Sequence, residues 1–259
     1  MNFIRKIRRN NFALCFAFIA TLSSGLAQAT IVQFETPFGN FEVNLYDNDT
    51  PETVNNFLEY VNAGDYTNTV IHRSVDGFII QGGGFVFDDS LTLNANNLPL
   101  LNIESNAAVI NEPTYSNVRG TIAMAKLASN PNSATNQWFF NLTNNSLNLD
   151  RQNEGFTVFG EVTGNGMAII DQIVAAEKYD FGGVFTTIPL RDYTSGTPDN
   201  NNLMLISSIV ITDTTVDSAA GLNPPLNIGP EPTPSSSGGG TMNWLLLGLL
   251  LFKRRRKAA

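Results

Sequence analysis

The sequence predicts a mostly β protein, an antiparallel barrel accompanied by two helices. Three observations carry this. Short apolar, β-prone runs recur along the chain, at 31–36, 41–45, 70–71, 78–80, 156–162 and 204–212. Only two stretches, 54–61 and 167–174, repeat their apolar residues with a helical period. Strands and helices do not alternate as βαβ units, which argues against a parallel sheet.

Taken in order, residues 31–36 and 41–45 flank Pro37-Phe38-Gly39-Asn40 and read as a strand hairpin. Thr50-Pro51 starts a helix, with Thr50 as N-cap and proline at the first helical position. Val54, Phe57, Leu58 and Val61 give it one apolar face, and Gly64 ends it. Val70–Ile71 and Phe78–Ile80 bracket Asp76-Gly77, a strand–turn–strand signal. Residues 86–118, rich in Asn, Ser, Asp and Pro, are expected to be a long excursion, functional or decorative. Met167, Ile170, Ile173 and Val174 mark the second helix, within 164–176. Residues 180–202 read as another polar loop, and 204–212 as a closing strand.

The two ends differ from the body. Of the 15 Lys and Arg, 4 precede residue 10 and 5 follow residue 252. The body keeps 6 Lys and Arg against 23 Asp and Glu, a balance of −17. Nucleic acid needs clustered positive charge, so it is not an expected partner. Residues 1–29 have the form of a secretory signal peptide: a basic start, an apolar run from Phe12 to Ala20, and small residues ending Ala27-Gln28-Ala29. That run is about half the ~20 residues a membrane span requires. An exported protein is expected, periplasmic, cell-surface or secreted, in a Gram-negative-type bacterium. The only cysteine, Cys15, lies inside this run, so the mature chain would form no disulfide. With one histidine and no mature cysteine, metal and cysteine chemistry are disfavoured, and no cofactor is expected.

A single folded body is expected over 30–215. Residues 216–240 read as a Pro/Ser/Gly-rich linker with little to bury. Residues 241–259 hold a short leucine-rich run followed by Lys-Arg-Arg-Arg-Lys. The apolar core Met242 to Phe252 is 11 residues, short for a bilayer. The order Gly-Gly, short apolar helix, Arg cluster resembles the GlyGly-type C-terminal sorting tags of bacterial exported proteins, in which a rhomboid-type protease cuts near the glycines. A weak permanent anchor is the alternative, and either gives at least transient membrane association.

The chemistry concentrates at 71–85, Ile-His-Arg-Ser-Val-Asp-Gly-Phe-Ile-Ile-Gln-Gly-Gly-Gly-Phe. The three glycines permit close backbone approach or positive φ, or simply form a bend. Polar Arg73 and Gln81 stand at strand positions beside apolar ones.

His72-Arg73, Gly77-Phe78 and Ile80-Gln81-Gly82-Gly83 together resemble the signature of the cyclophilin-type peptidyl-prolyl isomerases. Arg119 to Ala125, with Ser133-Ala134-Thr135-Asn136-Gln137-Trp138-Phe139-Phe140, resembles a second segment of that family, and Phe156 to Val162 a third. The three occur in family order between about Thr30 and Asp213, and Pro51-Glu52-Thr53-Val54 is similar to the bacterial branch. The resemblance implies a closed eight-stranded antiparallel barrel with a helix capping each mouth. Small barrels are filled by side chains, so the site would lie on the outer wall.

The resemblance also implies residue roles. Arg73 would be the catalytic residue. Phe78, Ile79 and Phe139 would form an apolar proline pocket with Leu149 at its edge. Gln81 and Gln137 would bind substrate and orient Arg73, and Ala125 would pair with the peptide through its backbone. The substrate-binding set would also include His72, as a structural hydrogen-bonding neighbour of Arg73, and Phe156, which stands where some members have histidine. Ile79 replaces a common methionine, Asn148 falls near an aromatic position often used to bind cyclosporin, and Trp138 is expected to face the core. The implied activity is isomerisation of X–Pro bonds in proline-containing peptides and unfolded exported proteins, by a monomer. A non-catalytic proline-peptide binder or surface chaperone on the same scaffold is the rival reading.

Overall fold

The computed structural model describes residues 30–90, 93, 96–214 and 222–229. The expected signal segment at 1–29 and the expected sorting tail at 241–259 lie outside the described residues. No helix among the described residues is long and apolar enough to cross a membrane.

β1 (Ile31–Thr36) and β2 (Gly39–Leu45) form the expected hairpin, in register from Ile31↔Asn44 to Thr36↔Gly39. The loop is only Pro37-Phe38, because Gly39 at φ 120° lets the return strand start at once. α1 (Pro51–Ala63) follows and buries Val54, Phe57 and Val61, and Gly64 closes it with a left-handed φ of 76°. The cap differs from expectation. Thr50 makes no side-chain cap bond; its hydroxyl donates to Tyr46 O at 3.2 Å. Glu112, from the 86–118 excursion, accepts from the Thr53 N–H at 2.9 Å and the Glu52 N–H at 3.3 Å instead. A carboxylate suits the positive end of a helix dipole better than a hydroxyl does.

β3 (Thr69–Val70), β4 (Arg73–Val75), β5 (Ile79–Gly82), β6 (Phe85–Phe87) and β7 (Leu100–Asn102) come next. β4 and β5 form the hairpin, so the strand before the Asp76-Gly77 turn is Arg73–Val75 rather than Val70–Ile71. β8 (Thr121–Met124) and β9 (Trp138–Asn141) precede α2 (Ser146–Leu149) and a short 3-10 turn at Gln152–Glu154. β10 (Val158–Val162) leads to α3 (Gly166–Ala175), the second expected helix. β11 (Glu177–Tyr179), β12 (Ile188–Leu190), β13 (Leu205–Ile206) and β14 (Ser208–Asp213) complete the elements.

The molecule is mostly β, but the predicted closed barrel is not formed. Eight strands run β14-β1-β2-β10-β8-β9-β5-β4 as one curled, half-barrel antiparallel sheet whose edges, β14 and β4, do not pair. The reason lies in the chain at both edges. The edge strands are interrupted at Ile71-His72 and at Ser207, and the segments beyond, β3 and β13, pair with each other in a second sheet, β13-β3-β6-β7. The free edge of β4 is then covered, its Ser74 N–H donating to Thr187 O at 2.9 Å.

The concave side holds the main core. Val32, Phe34, Val43, Ile80, Ile122 and Phe140 point into it, with Phe57 of α1 and Ile170 and Ile173 of α3. Trp138 faces this core as expected, its ring edge-on to Phe34 at 5.2 Å. The two polar loops do more than decorate. β7 and β12 lie within them, and Phe85, Leu98, Leu100, Phe185, Ile188 and Leu203 build a separate apolar cluster. Part of the expected linker also packs. Ser116 N–H donates to Pro225 O at 2.8 Å, Asn227 N–H donates to Thr114 O at 2.9 Å, and Tyr115 bridges Leu226.

Candidate active site on the outer wall

Strand register builds the site. Arg73 lies opposite Gln81 across β4 and β5, Gln81 opposite Phe139 across β5 and β9, and Phe139 opposite Ala123 across β9 and β8. Directly paired residues share one face of a sheet. Their chain neighbours Ile80, Trp138, Phe140 and Ile122 point the other way, into the core, because side chains alternate along a strand. One row is therefore forced to the convex side, and it carries a cation, an amide and an aromatic ring.

Around this row sits an apolar cluster of Ile79, Ala125, Phe139, Leu149, Phe156 and Val158, with Phe78 packed against it. Phe139 forms its closed floor, and Phe156 meets it edge-on at 5.8 Å between ring centroids. Arg73 and Phe78 remain half-buried. Phe78, Ile79, Ala125, Phe139, Leu149 and Phe156 are thus brought together as expected.

The polar members form a relay. Gln81 Nε2 donates to Gln137 Oε1 at 2.8 Å, and Arg73 Nη1 approaches Gln81 Oε1 at 3.4 Å. Gln81 thus turns its oxygen to the guanidinium and its amide nitrogen to Gln137. The ion pairs found among the described residues join Arg119 to Asp171 and Lys178 to Asp76, so no carboxylate neutralises Arg73. Burial lowers its proton affinity, yet an arginine stays charged. Space for the relay comes from glycine: a Cβ at Gly84 would lie 2.6 Å from Gln137 Nε2, and Gly83, at φ 77°, would press a Cβ within 2.6 Å of the Trp138 indole nitrogen.

His72 is not part of this assembly. Its ring turns to the other side, edge-on to Phe85 at 4.9 Å and to Phe185 at 6.5 Å. It is buried, and its Nδ1 has no hydrogen-bond partner. Its hydrogen bond to the Val70 backbone fits the expected structural role, but the ring faces away from the outer-wall row. Extended backbone sends successive side chains to opposite faces, so with Arg73 outward His72 is driven into the annex core. Ala125 carries its N–H to Gln137 O at 2.9 Å, leaving its carbonyl as its backbone group for a peptide.

A buried polar chain supports the floor and was not legible in the sequence. Asn145 Nδ2 donates to Phe78 O at 2.9 Å and to Asn141 Oδ1 at 2.8 Å. Asn141 Nδ2 donates to Thr121 Oγ1 at 2.9 Å, and Asn117 Nδ2 donates to Asp150 Oδ1 at 2.9 Å and Phe156 O at 3.1 Å. The backbones of Phe78 and Phe156 are held by one network. Asparagine abounds in this chain's loops, so composition does not mark these three.

Comparison with known proteins gives a consistent result. A family profile described as cyclophilin type peptidyl-prolyl cis-trans isomerase matches residues 31–192. A peptidyl-prolyl cis-trans isomerase of Acinetobacter baylyi is 40% identical over 154 residues, 59% of this chain and 76% of the relative. Peptidyl-prolyl cis-trans isomerase B of Escherichia coli is 40% identical over 168 residues, 62% of this chain and 94% of the relative. In fold, the chain resembles a Cryptosporidium parvum cyclophilin-type isomerase crystallised in the presence of the dipeptide Ala-Pro. The TM-score is 0.51 at 20% identity, over 71% of this chain and 99% of that one.

Proposed function

The chain belongs to the cyclophilin-type peptidyl-prolyl cis-trans isomerase family and is an isomerase of X–Pro bonds, and from that premise we propose that it works at the Arg73–Gln81–Phe139 row and serves exported proteins. The observation that carries the site is the cross-strand register that sets an unpaired guanidinium, a relay amide and an apolar floor side by side.

The chemistry follows from the bond. Rotation about C–N is opposed by its partial double-bond character, about 18–20 kcal/mol. Uncatalysed X–Pro isomerisation takes tens to hundreds of seconds. No covalent bond has to break. In the twisted state resonance is lost and the prolyl nitrogen carries a lone pair. The proline ring seats over Phe139 by parting the rim of Phe78, Leu149 and Phe156, while the preceding carbonyl turns freely. Arg73 donates to the nitrogen's lone pair, an interaction that the planar amide cannot offer, so it favours the transition state over either ground state. Gln81 holds the guanidinium, Gln137 holds Gln81, and the Ala125 carbonyl receives the peptide backbone. Titrating the isotopically labelled protein with a proline-containing tetrapeptide tests this. Shifts are expected at Arg73, Gln81, Ala125 and Phe139, with exchange peaks linking cis and trans peptide. Shifts confined to the annex around Phe85 and Phe185 would move the site there.

Export is supported by the signal-like first 29 residues, by a body of balance −17 and by the GlyGly-like tail. A mature chain starting at Thr30 and ending near Gly238–Gly240 is the expected product in a Gram-negative host. Intact mass of the exported species checks it. A mature chain that keeps Lys253–Lys257 would instead make the tail a lasting anchor.

A further inference from the structure

Lys126 directly follows Ala125, and its side chain is 1% exposed. Its Nζ donates to Asn153 O at 2.9 Å and to Gly155 O at 2.5 Å, and it lies 4.9 Å from the centroid of the Phe156 ring. Those carbonyls belong to an unusual turn. Asn153, Glu154 and Gly155 have positive φ in succession, at 48°, 63° and 79°. Left-handed backbone costs about 1–2 kcal/mol for a residue with a Cβ, so the first two need outside support. The turn is the return path between Leu149 and Phe156, both in the outer-wall cluster. Asn153 Nδ2 fastens it a second time, donating to Leu127 O at 2.8 Å.

A buried ammonium is expensive to desolvate, and burial lowers its proton affinity to about 8, with Glu154 opposing part of that shift. A purely structural filler would not need a charge here. The charge does have a use: it gathers the Asn153 and Gly155 carbonyls at one point, and it attracts the face of Phe156. Phe156 in turn meets Phe139. A continuous line then runs from Lys126 through Phe156, Phe139 and Gln81 to Arg73.

We propose that Lys126 is a positioning residue for the isomerase, setting the Asn153–Gly155 turn and through it the Phe156 wall against which the proline-containing peptide binds. This rests on the outer-wall site proposed above. A wall that positions substrate acts on binding, not on the twisted amide, so its loss should raise KM and spare kcat.

The test is steady-state kinetics on a proline tetrapeptide. Lys126→Met is expected to raise KM roughly five- to tenfold with kcat within about twofold, and Lys126→Arg, which still donates to both carbonyls, to restore most of the difference. In a Phe156→Ala background Lys126→Met should add little, since the two act through one contact. Should the methionine variant not fold, Lys126→Gln, with a single amide donor group, is expected to show the same split. Wild-type KM in Lys126→Met, or full additivity with Phe156→Ala, overturns the assignment. Arg73→Ala run in parallel separates the two readings. If it is impaired while Lys126→Met is not, only Lys126 loses its role; if it is unimpaired, the outer-wall site itself is wrong.

Discussion

Replacing Arg73 with alanine is expected to lower kcat/KM by about two orders of magnitude, with the loss in kcat, because one preorganised donor aimed at a transition-state charge is worth roughly 10²–10³ in rate. The structure makes this a clean experiment. Arg73 has no carboxylate partner among the described residues, and its polar contact to Gln81 is long at 3.4 Å. Its removal therefore breaks little that holds the fold, and thermal stability should stay close to wild type. Arg73→Lys should recover only part of the activity. An ammonium keeps the charge but lacks the planar fork that Gln81 can orient. Cis–trans exchange of a proline tetrapeptide, read by NMR, measures both variants. A wild-type exchange rate in Arg73→Ala would remove the guanidinium from the mechanism and with it the outer-wall row as the site of catalysis.

The members of this site were legible to different degrees, for physical reasons. Arg73 and Gln81 stood out because a cation and an amide at strand positions need an explanation that packing does not provide. Phe139 could not be told from Trp138 or Phe140 by apolar character, since all three are buried. The pairing Gln81↔Phe139 separates them, and pairing is a property of two strands 58 residues apart in sequence. The annex was missed for a related reason. β7 and β12 are three residues long, β12 contains Pro189, and neither shows alternation over enough positions to be read. Glu112 was invisible as a cap because it reaches α1 from 59 residues away. Barrel closure was misjudged because the strand interruptions at His72 and Ser207 leave no mark in composition. His72 was grouped with Arg73 by adjacency, where the alternation of extended backbone would have parted them.

That parting has a measurable consequence in acid. His72 is fully enclosed between Phe85 and Phe185, with Nδ1 unpartnered, and burial, then the neighbouring Arg73 charge, push its proton affinity down to about 3. In the unfolded chain the same imidazole takes up a proton near pH 6.5. Between those values the unfolded state binds more protons than the folded one, so stability is complete above about 6.5 and falls as pH drops toward 3. At about pH 4.5 the loss from this one group is roughly 2–3 kcal/mol, a large part of a small domain's total. Carboxylates titrate in the same range, so the useful quantity is a difference. Urea unfolding at about pH 7 and pH 4.5 should show a smaller acid loss in His72→Leu than in wild type, even if the variant starts out less stable. The chain has a single histidine, so its imidazole resonance can be followed without assignment ambiguity and should stay that of the neutral ring well below pH 6. Equal acid losses in the two proteins, or a folded-state titration near the ordinary value, would mean that water reaches Nδ1. His72 would then carry charge beside Arg73, and the guanidinium would no longer be the sole cation on that strand when the enzyme meets mildly acidic surroundings.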